Sequence, residues 1–236
     1  MLTRSRRWVL KALALGAAAR DAAAQDRTVD LQLVLAVDVS GSVSQERFEL
    51  QRDGYAAAFR HPHGLAAIRS GFSGAIVVTM TQWTGPALQY QVVPWTRISD
   101  AASADRFAAA IAEAPRALFG GGTSISGAID HAMTLWRGAP HAADRRVIDV
   151  SGDGANNRGR PAHVARDEAV ATGVGINGLP ILALEPGLDR YYETNVIGGP
   201  NSFVVAAQSY EIFAEAVRRK LILEIAALPT PPAITT

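Results

Sequence analysis

Residues 31–42, LQLVLAVDVSGS, decide the fold of this chain. The run from Leu31 to Val39 is almost continuously apolar and ends in Asp38-Val39-Ser40-Gly41-Ser42. A strand with one wet face alternates apolar and polar residues. A strand that is apolar throughout suits a parallel sheet covered on both faces. Working outward, residues 45–60 read as a helix, with Phe48, Tyr55 and Phe59 at helical spacing. Residues 75–83 and 88–98 read as strands joined by Thr84-Gly85-Pro86-Ala87, a hairpin signal. A helix is predicted over 104–118, then a glycine loop at 119–124 that opens a helix running to about Arg137.

A second buried strand is predicted at 146–150, ending in Ser151-Gly152-Asp153-Gly154. The remainder reads as a helix over 161–172, short strands at 181–184 and 203–206, and a closing helix over 209–225. The Gly-rich stretch 171–178 reads as a connection, and Tyr191 and Tyr192 read as part of a surface loop with ordinary packing roles. Strands separated by helices, with one hairpin, predict an α/β fold. It is a doubly wound, mostly parallel sheet with one antiparallel edge strand and helices on both faces.

Composition narrows the chemistry. The 236 residues contain no cysteine, which removes disulfides, thiolate metal sites and cysteine nucleophiles. Only Lys11 and Lys220 are lysines; all other basic side chains are arginine. A phosphate-binding P-loop or a Schiff-base enzyme needs a lysine in its site, and neither position suits one. A formal net charge of +1 offers no basic patch for nucleic acid.

Residues 1–24 have the layout of an export signal. A basic start containing Arg6-Arg7 is followed by a short apolar run and by Ala22-Ala23-Ala24. Ser5-Arg6-Arg7-Trp8-Val9-Leu10-Lys11 resembles the twin-arginine motif, with ordinary Sec export or an amphipathic helix as alternatives. The run is too short to span a membrane, which takes about 20 apolar residues. Export would place the mature chain in the periplasm or outside the cell. The segment carries five basic residues against Asp21, so removing its +4 leaves about −3. Residues 28–226 are expected to form one domain, followed by a Pro-rich tail at 227–236.

The site reading rests on five oxygen side chains. Asp38, Ser40 and Ser42 sit where the first buried strand ends, and ligands of open α/β sheets bind beyond the carboxyl ends of strands. Thr123 follows three glycines, and Asp153 ends the second buried strand. Hard oxygen donors without cysteine favour Mg²⁺ over zinc or copper, with Mn²⁺ or Ca²⁺ as alternatives. Taken singly, each Asp reads equally well as a turn or cap residue. Asn156, Asn157 and Arg158 follow closely enough to edge such a crevice and touch a ligand. His61-Pro62-His63 reads as a solvated loop, and His131, His141 and His163 are scattered.

Asp38-x-Ser40-x-Ser42, Gly122-Thr123 and Ser151-Gly152-Asp153-Gly154 together resemble the metal-ion-dependent adhesion site of von Willebrand factor A domains. Gly154-Ala155-Asn156-Asn157 resembles a bacterial branch of that family. The likeness covers about residues 28–226. It implies that Ser40, Ser42 and Thr123 give hydroxyl oxygens to the metal. It also implies that Asp38 and Asp153 act through water or hydrogen bonds, and that one position stays open for an Asp or Glu of a protein partner. One departure is Trp83-Thr84, where many members carry Phe-Ser; the expected effect is on packing. The resemblance predicts a binding module and not an enzyme. A metal-dependent hydrolase or phosphatase using Asp38 is the alternative, though the Asp-x-Asp and later Lys of such phosphatases are missing. A scaffold with a vestigial site is the blander option.

Overall fold

The computed structural model describes residues 28–226; the expected export signal at 1–24 and tail at 227–236 lie outside the described residues. Five strands form the main sheet. They are β2 (Leu31–Asp38), β3 (Ile76–Trp83), β4 (Gln89–Ile98), β6 (Arg146–Gly152) and β7 (Val174–Pro180), in the spatial order β4-β3-β2-β6-β7. β4 alone runs antiparallel, on the edge beside β3; the other pairings are parallel. Pro94 sits in β4, where the missing N–H costs little because one side of an edge strand has no ladder. β1 (Thr28–Val29) and β5 (Ala142–Ala143) form a separate two-stranded parallel pair.

Both faces of β2 are buried, as its sequence demands. Leu31, Leu33, Leu35 and Val37 pack with α1 (Gln45–Arg60), α2 (Pro62–Arg69), α3 (Ala101–Glu113) and α7 (Phe213–Ala226). Val34 and Ala36 point the other way, toward α4 (Ile125–Leu135), α5 (Ala162–Ala171) and α6 (Leu188–Asn195). The period of two therefore distributes one apolar run between two cores. Each fully buried Leu or Val contributes roughly 1.5–3 kcal/mol relative to exposure.

Local chemistry sets the boundaries. Ser44 caps α1 by accepting the Arg47 N–H at 3.2 Å, and Asp100 and Ser103 form a reciprocal capping box on α3. α3 ends at Glu113 rather than the expected 118, because Pro115 forces Ala114 into an extended conformation. His61-Pro62-His63 is a helix start and not a loop: Pro62 opens α2, and the His61 side chain accepts the His63 N–H at 3.2 Å.

The other differences lie in the last third. Residues 174–180 form β7, the second edge strand, so most of the stretch 171–178 expected as a connection is strand. Their glycines make room: a β-carbon at Gly178 would stand 2.6 Å from Tyr192 Cδ1. Ile181 and Val204, expected inside short strands, make only isolated bridges. Tyr191 and Tyr192 belong to α6, and Tyr192 is fully buried.

Candidate functional site

The sheet register assembles the site. Val37 of β2 pairs with Ser151 of β6, so Asp38 and the Gly152-Asp153 segment emerge side by side at the carboxyl ends of neighbouring strands. Gly152 is required there, since a β-carbon on it would stand 2.9 Å from Asp38 Oδ2. Asp38 and Asp153 are both buried, at 0% and 2% exposure. Ser42 donates to Asp153 Oδ1 at 2.6 Å, and the Ser40 and Ser42 hydroxyl oxygens lie 3.3 Å apart. The Ser40 N–H donates to Asp38 Oδ1 at 2.7 Å.

Thr123 arrives on a loop of three glycines, Gly120, Gly121 and Gly122, all at positive φ. That loop is clamped from two sides. The Thr123 N–H donates to Asn157 Oδ1 at 3.0 Å, and the Thr123 carbonyl accepts from the Asn157 and Arg158 N–H groups at 2.9 and 3.1 Å. The Ser124 N–H donates to the Thr84 carbonyl at 2.8 Å. Trp83 fills the α4 side of the core, where the Trp83-Thr84 departure affects packing; the Ser124 contact uses only the Thr84 backbone.

Ser40, Ser42, Thr123 and Asp153 line one open crevice of about 530 Å³, together with Gly41, Gly122, Gly154, Ala155, Asn157, Leu184 and Glu185. Asp38 lies beneath it. All five side chains expected at the site therefore converge, and Asn157 joins them at the wall. His61 and His63 belong to the start of α2, away from the crevice lining. Lys220 is also elsewhere. It is fully buried, 2.6 Å from Asp149 Oδ1 and 3.0 Å from Glu224 Oε1.

The electrostatics of the crevice are unbalanced. Burial, and then the charge of Asp153, push the Asp38 carboxyl up to about 7, against the hydrogen bonds from Ser40. Asp38 Oδ2 has no hydrogen-bond partner among the described residues. Arg47 stands 3.9 Å from Asp153 Oδ2, at the limit of an ion pair. Its guanidinium is occupied by the Ser42 carbonyl at 2.9 Å and lies 5.2 Å from the Tyr210 ring centre. Two buried carboxylates with an unpaired oxygen and no cation in close contact are the arrangement that a divalent ion completes.

The donor set fits such an ion. A hydroxyl that donates its proton to a carboxylate, as Ser42 does, keeps its lone pairs available. Ligands about 2.1 Å from Mg²⁺ at right angles lie about 3 Å apart, close to the observed Ser40–Ser42 spacing.

Three neighbours had no sequence signal. Tyr210 donates to Asp153 Oδ2 at 2.8 Å, from a segment 57 residues away. The Tyr192 hydroxyl and Asp38 Oδ2 have no hydrogen-bond partner among the described residues, and both lie about 3 Å from the missing β-carbon of Gly152. Glu185 accepts the Ala155 N–H at 2.9 Å on the far wall. Only tertiary contact brings these side chains to the strand ends.

A family model described as "Protein of unknown function (DUF1194)" matches residues 28–229. No curated protein matches the chain. Among solved structures, proximal thread matrix protein 1 from the mussel byssus is 17% identical, with a TM-score of 0.61 over 84% of this chain and 48% of that one. A crystal of the mussel protein is described with a zinc occupied MIDAS motif. A von Willebrand factor type A protein from Catenulispora acidiphila is 16% identical, with a TM-score of 0.57 over 82% of this chain and 42% of that one. The manganese-loaded TRAP protein of Plasmodium vivax is 17% identical, with a TM-score of 0.54 over 84% and 74%. This chain spans about half the length of the first two. The likeness establishes the von Willebrand factor A fold.

Proposed function

The chain belongs to the DUF1194 family, and on the site just described we propose that it is an exported binding module that holds a divalent cation and captures an acidic group of a protein partner. The observation that carries this reading is the convergence of Ser40, Ser42 and Thr123 with Asp38 and Asp153 around an open crevice, with Asp38 Oδ2 left unpaired. Ser40, Ser42 and Thr123 would give hydroxyl oxygens to the ion. Asp38 and Asp153 would act from behind, through water and through the Ser42 hydroxyl. The ion, Mg²⁺ first and Mn²⁺ next, supplies a Lewis-acidic position for one carboxylate oxygen of the partner.

The chain's own residues do the positioning. Asp153 orients the Ser42 hydroxyl, Tyr210 orients Asp153, and Asn157 fixes the Thr123 loop. Few anionic ligands in direct contact leave the ion electrophilic enough to take a foreign carboxylate. Two proteins of this fold, one described with a zinc occupied MIDAS motif and one as manganese-loaded, support a divalent ion. An export signal at 1–24, one domain over 28–226 and a tail at 227–236 complete the proposal.

The test is calorimetric titration of Mg²⁺ and Mn²⁺ into the wild type and into Asp38→Ala and Asp153→Ala. One site per chain is expected in the wild type, with affinity reduced at least about tenfold in each variant. Equal binding by all three would remove the assignment. Capture of partners in Mg²⁺ and in EDTA then reads the second half, which predicts partners retained only with metal.

A further inference from the structure

Four arginines belong to the segments at or next to this end of the sheet, and their partners differ. Arg47 is engaged with the Ser42 carbonyl and Asp153. Arg116 donates to the Leu118, Val39 and Ser40 carbonyls and lies against the Phe119 ring, so it braces the loop that holds Ser40. Arg160 forks between Asp130 and Glu168, with contacts of 2.6 and 2.7 Å. Arg158 is different. Its backbone is tied to Thr123 and Asn156, yet its guanidinium makes no hydrogen bond or ion pair among the described residues.

This free, exposed cation lies across Gly122, the residue before Thr123. A β-carbon at Gly122 would stand 2.7 Å from Arg158 Cγ and 3.2 Å from its Nε. The glycine at 122 therefore does more than allow positive φ. It lets an arginine lie directly against the backbone that carries Thr123.

The crevice lining itself carries the opposite charge. Glu185 is held by the Ala155 N–H, and its Oε2 lies 3.8 Å from the missing β-carbon of Gly154. Thr123 Oγ1 is also 3.8 Å from that point. The crevice thus has an acidic lining residue, Glu185, and a cation, Arg158, packed on its lining residue Gly122. Leu184 on its lining, and Leu88 and Phe119 on two other loops at this end of the sheet, are apolar and 50, 43 and 69% exposed. A planar guanidinium with unused donors is suited to bidentate recognition of a carboxylate.

We propose that Arg158 is a second anchor for the partner, so that the preferred ligand is a two-carboxylate segment. One acid goes to the metal position, the other to the Arg158 side away from Glu185, and apolar residues cover the margin. This rests on the metal-assisted binding proposed above and adds a selectivity to it.

The probes are short capped peptides of Gly, Ala and Leu. They carry one Glu, or two Glu one, two or three positions apart, or one phosphoserine. Each is titrated by NMR into the full chain with saturating Mg²⁺ and with EDTA, following the arginine Nε–H signals and the affinity. The expected result is that at least one two-Glu spacing binds roughly three- to tenfold more tightly than the one-Glu peptide and shifts the Arg158 Nε–H. In Arg158→Ala that ratio falls to about one, and Arg158→Lys, which keeps the charge but loses the fork, lies between. Equal binding of one-Glu and two-Glu peptides by the wild type overturns the proposal, as does a preference that survives Arg158→Ala. So does tighter binding of the phosphoserine peptide, which would assign Arg158 to phosphate. Failure of Mg²⁺ to bind in calorimetry, or peptide binding unchanged by EDTA, removes the metal reading and this inference together. Metal-dependent binding without selectivity removes this inference alone.

Discussion

Two pairs of acids lie inside this molecule, and the fold treats them differently. Asp149 and Glu224 share Lys220, a lysine of the chain itself, and Glu224 Oε1 also takes the Asn177 amide at 2.9 Å. Among the described residues, Asp38 and Asp153 take their hydrogen bonds from neutral donors, including Ser40, Ser42 and Tyr210, with Arg47 no nearer than 3.9 Å to Asp153, and lie at and beneath an open crevice. The first pair takes its cation from the sequence. On the function proposed above, the second takes one from outside. Buried charge is tolerated only when paired, so the two pairs differ in where the partner comes from.

Removing Lys220 should have the largest effect. Lys220→Met would leave Asp149 and Glu224 buried without compensation and destabilise the protein by roughly 3–5 kcal/mol, read by urea unfolding. If the cluster is purely structural, Lys220→Met with Asp149→Leu and Glu224→Leu should recover much of that loss, and metal affinity should stay as in the wild type.

Next in size is pH. The folded Asp38 carboxyl is held at about 7 against an ordinary value of 3.8, and Asp149 is shifted in the same direction by burial and Glu224, against the pull of Lys220. The folded chain therefore keeps protons that the unfolded chain releases. Metal-free stability should fall as pH rises from about 4 to 7, by a few kcal/mol, and level off above. Asp38→Asn should flatten part of that slope. Mg²⁺ should raise Tm more at pH 8 than at pH 5; an equal rise at both would separate Asp38 from the metal.

Tyr210→Phe removes one donor to Asp153 without adding volume. It should cost about 1 kcal/mol of stability and roughly tenfold in Mg²⁺ affinity, measured by unfolding and calorimetry. At the small end, Arg160→Ala breaks an exposed fork between Asp130 and Glu168 and should shift Tm by no more than about 2 °C.

The two acid pairs were not equally legible. Asp38, Ser40, Ser42, Thr123 and Asp153 stand at the ends of apolar runs or after glycines, where a chain must turn, so local pattern places them together. Asp149 lies within the strand beside Val150, and Glu224 lies 75 residues later on a helix, with nothing local linking them. The same reason hid Tyr210 and Tyr192. β7 carries little strand signal because Gly175 and Gly178 weaken the pattern, although Gly178 is small for the sake of the Tyr192 ring. β2, by contrast, carries its whole environment in its own residues.

The burial of Lys220 has a practical side. It is the single lysine between residues 28 and 226, and it has no exposed surface. Reagents that acylate amines find no target on the folded surface of that domain. Ester-activated chips and crosslinkers would have to hold the protein through amines outside residues 28–226. Acylation of Lys220 becomes a reporter of opening, with a rate that measures how often the interior is breached.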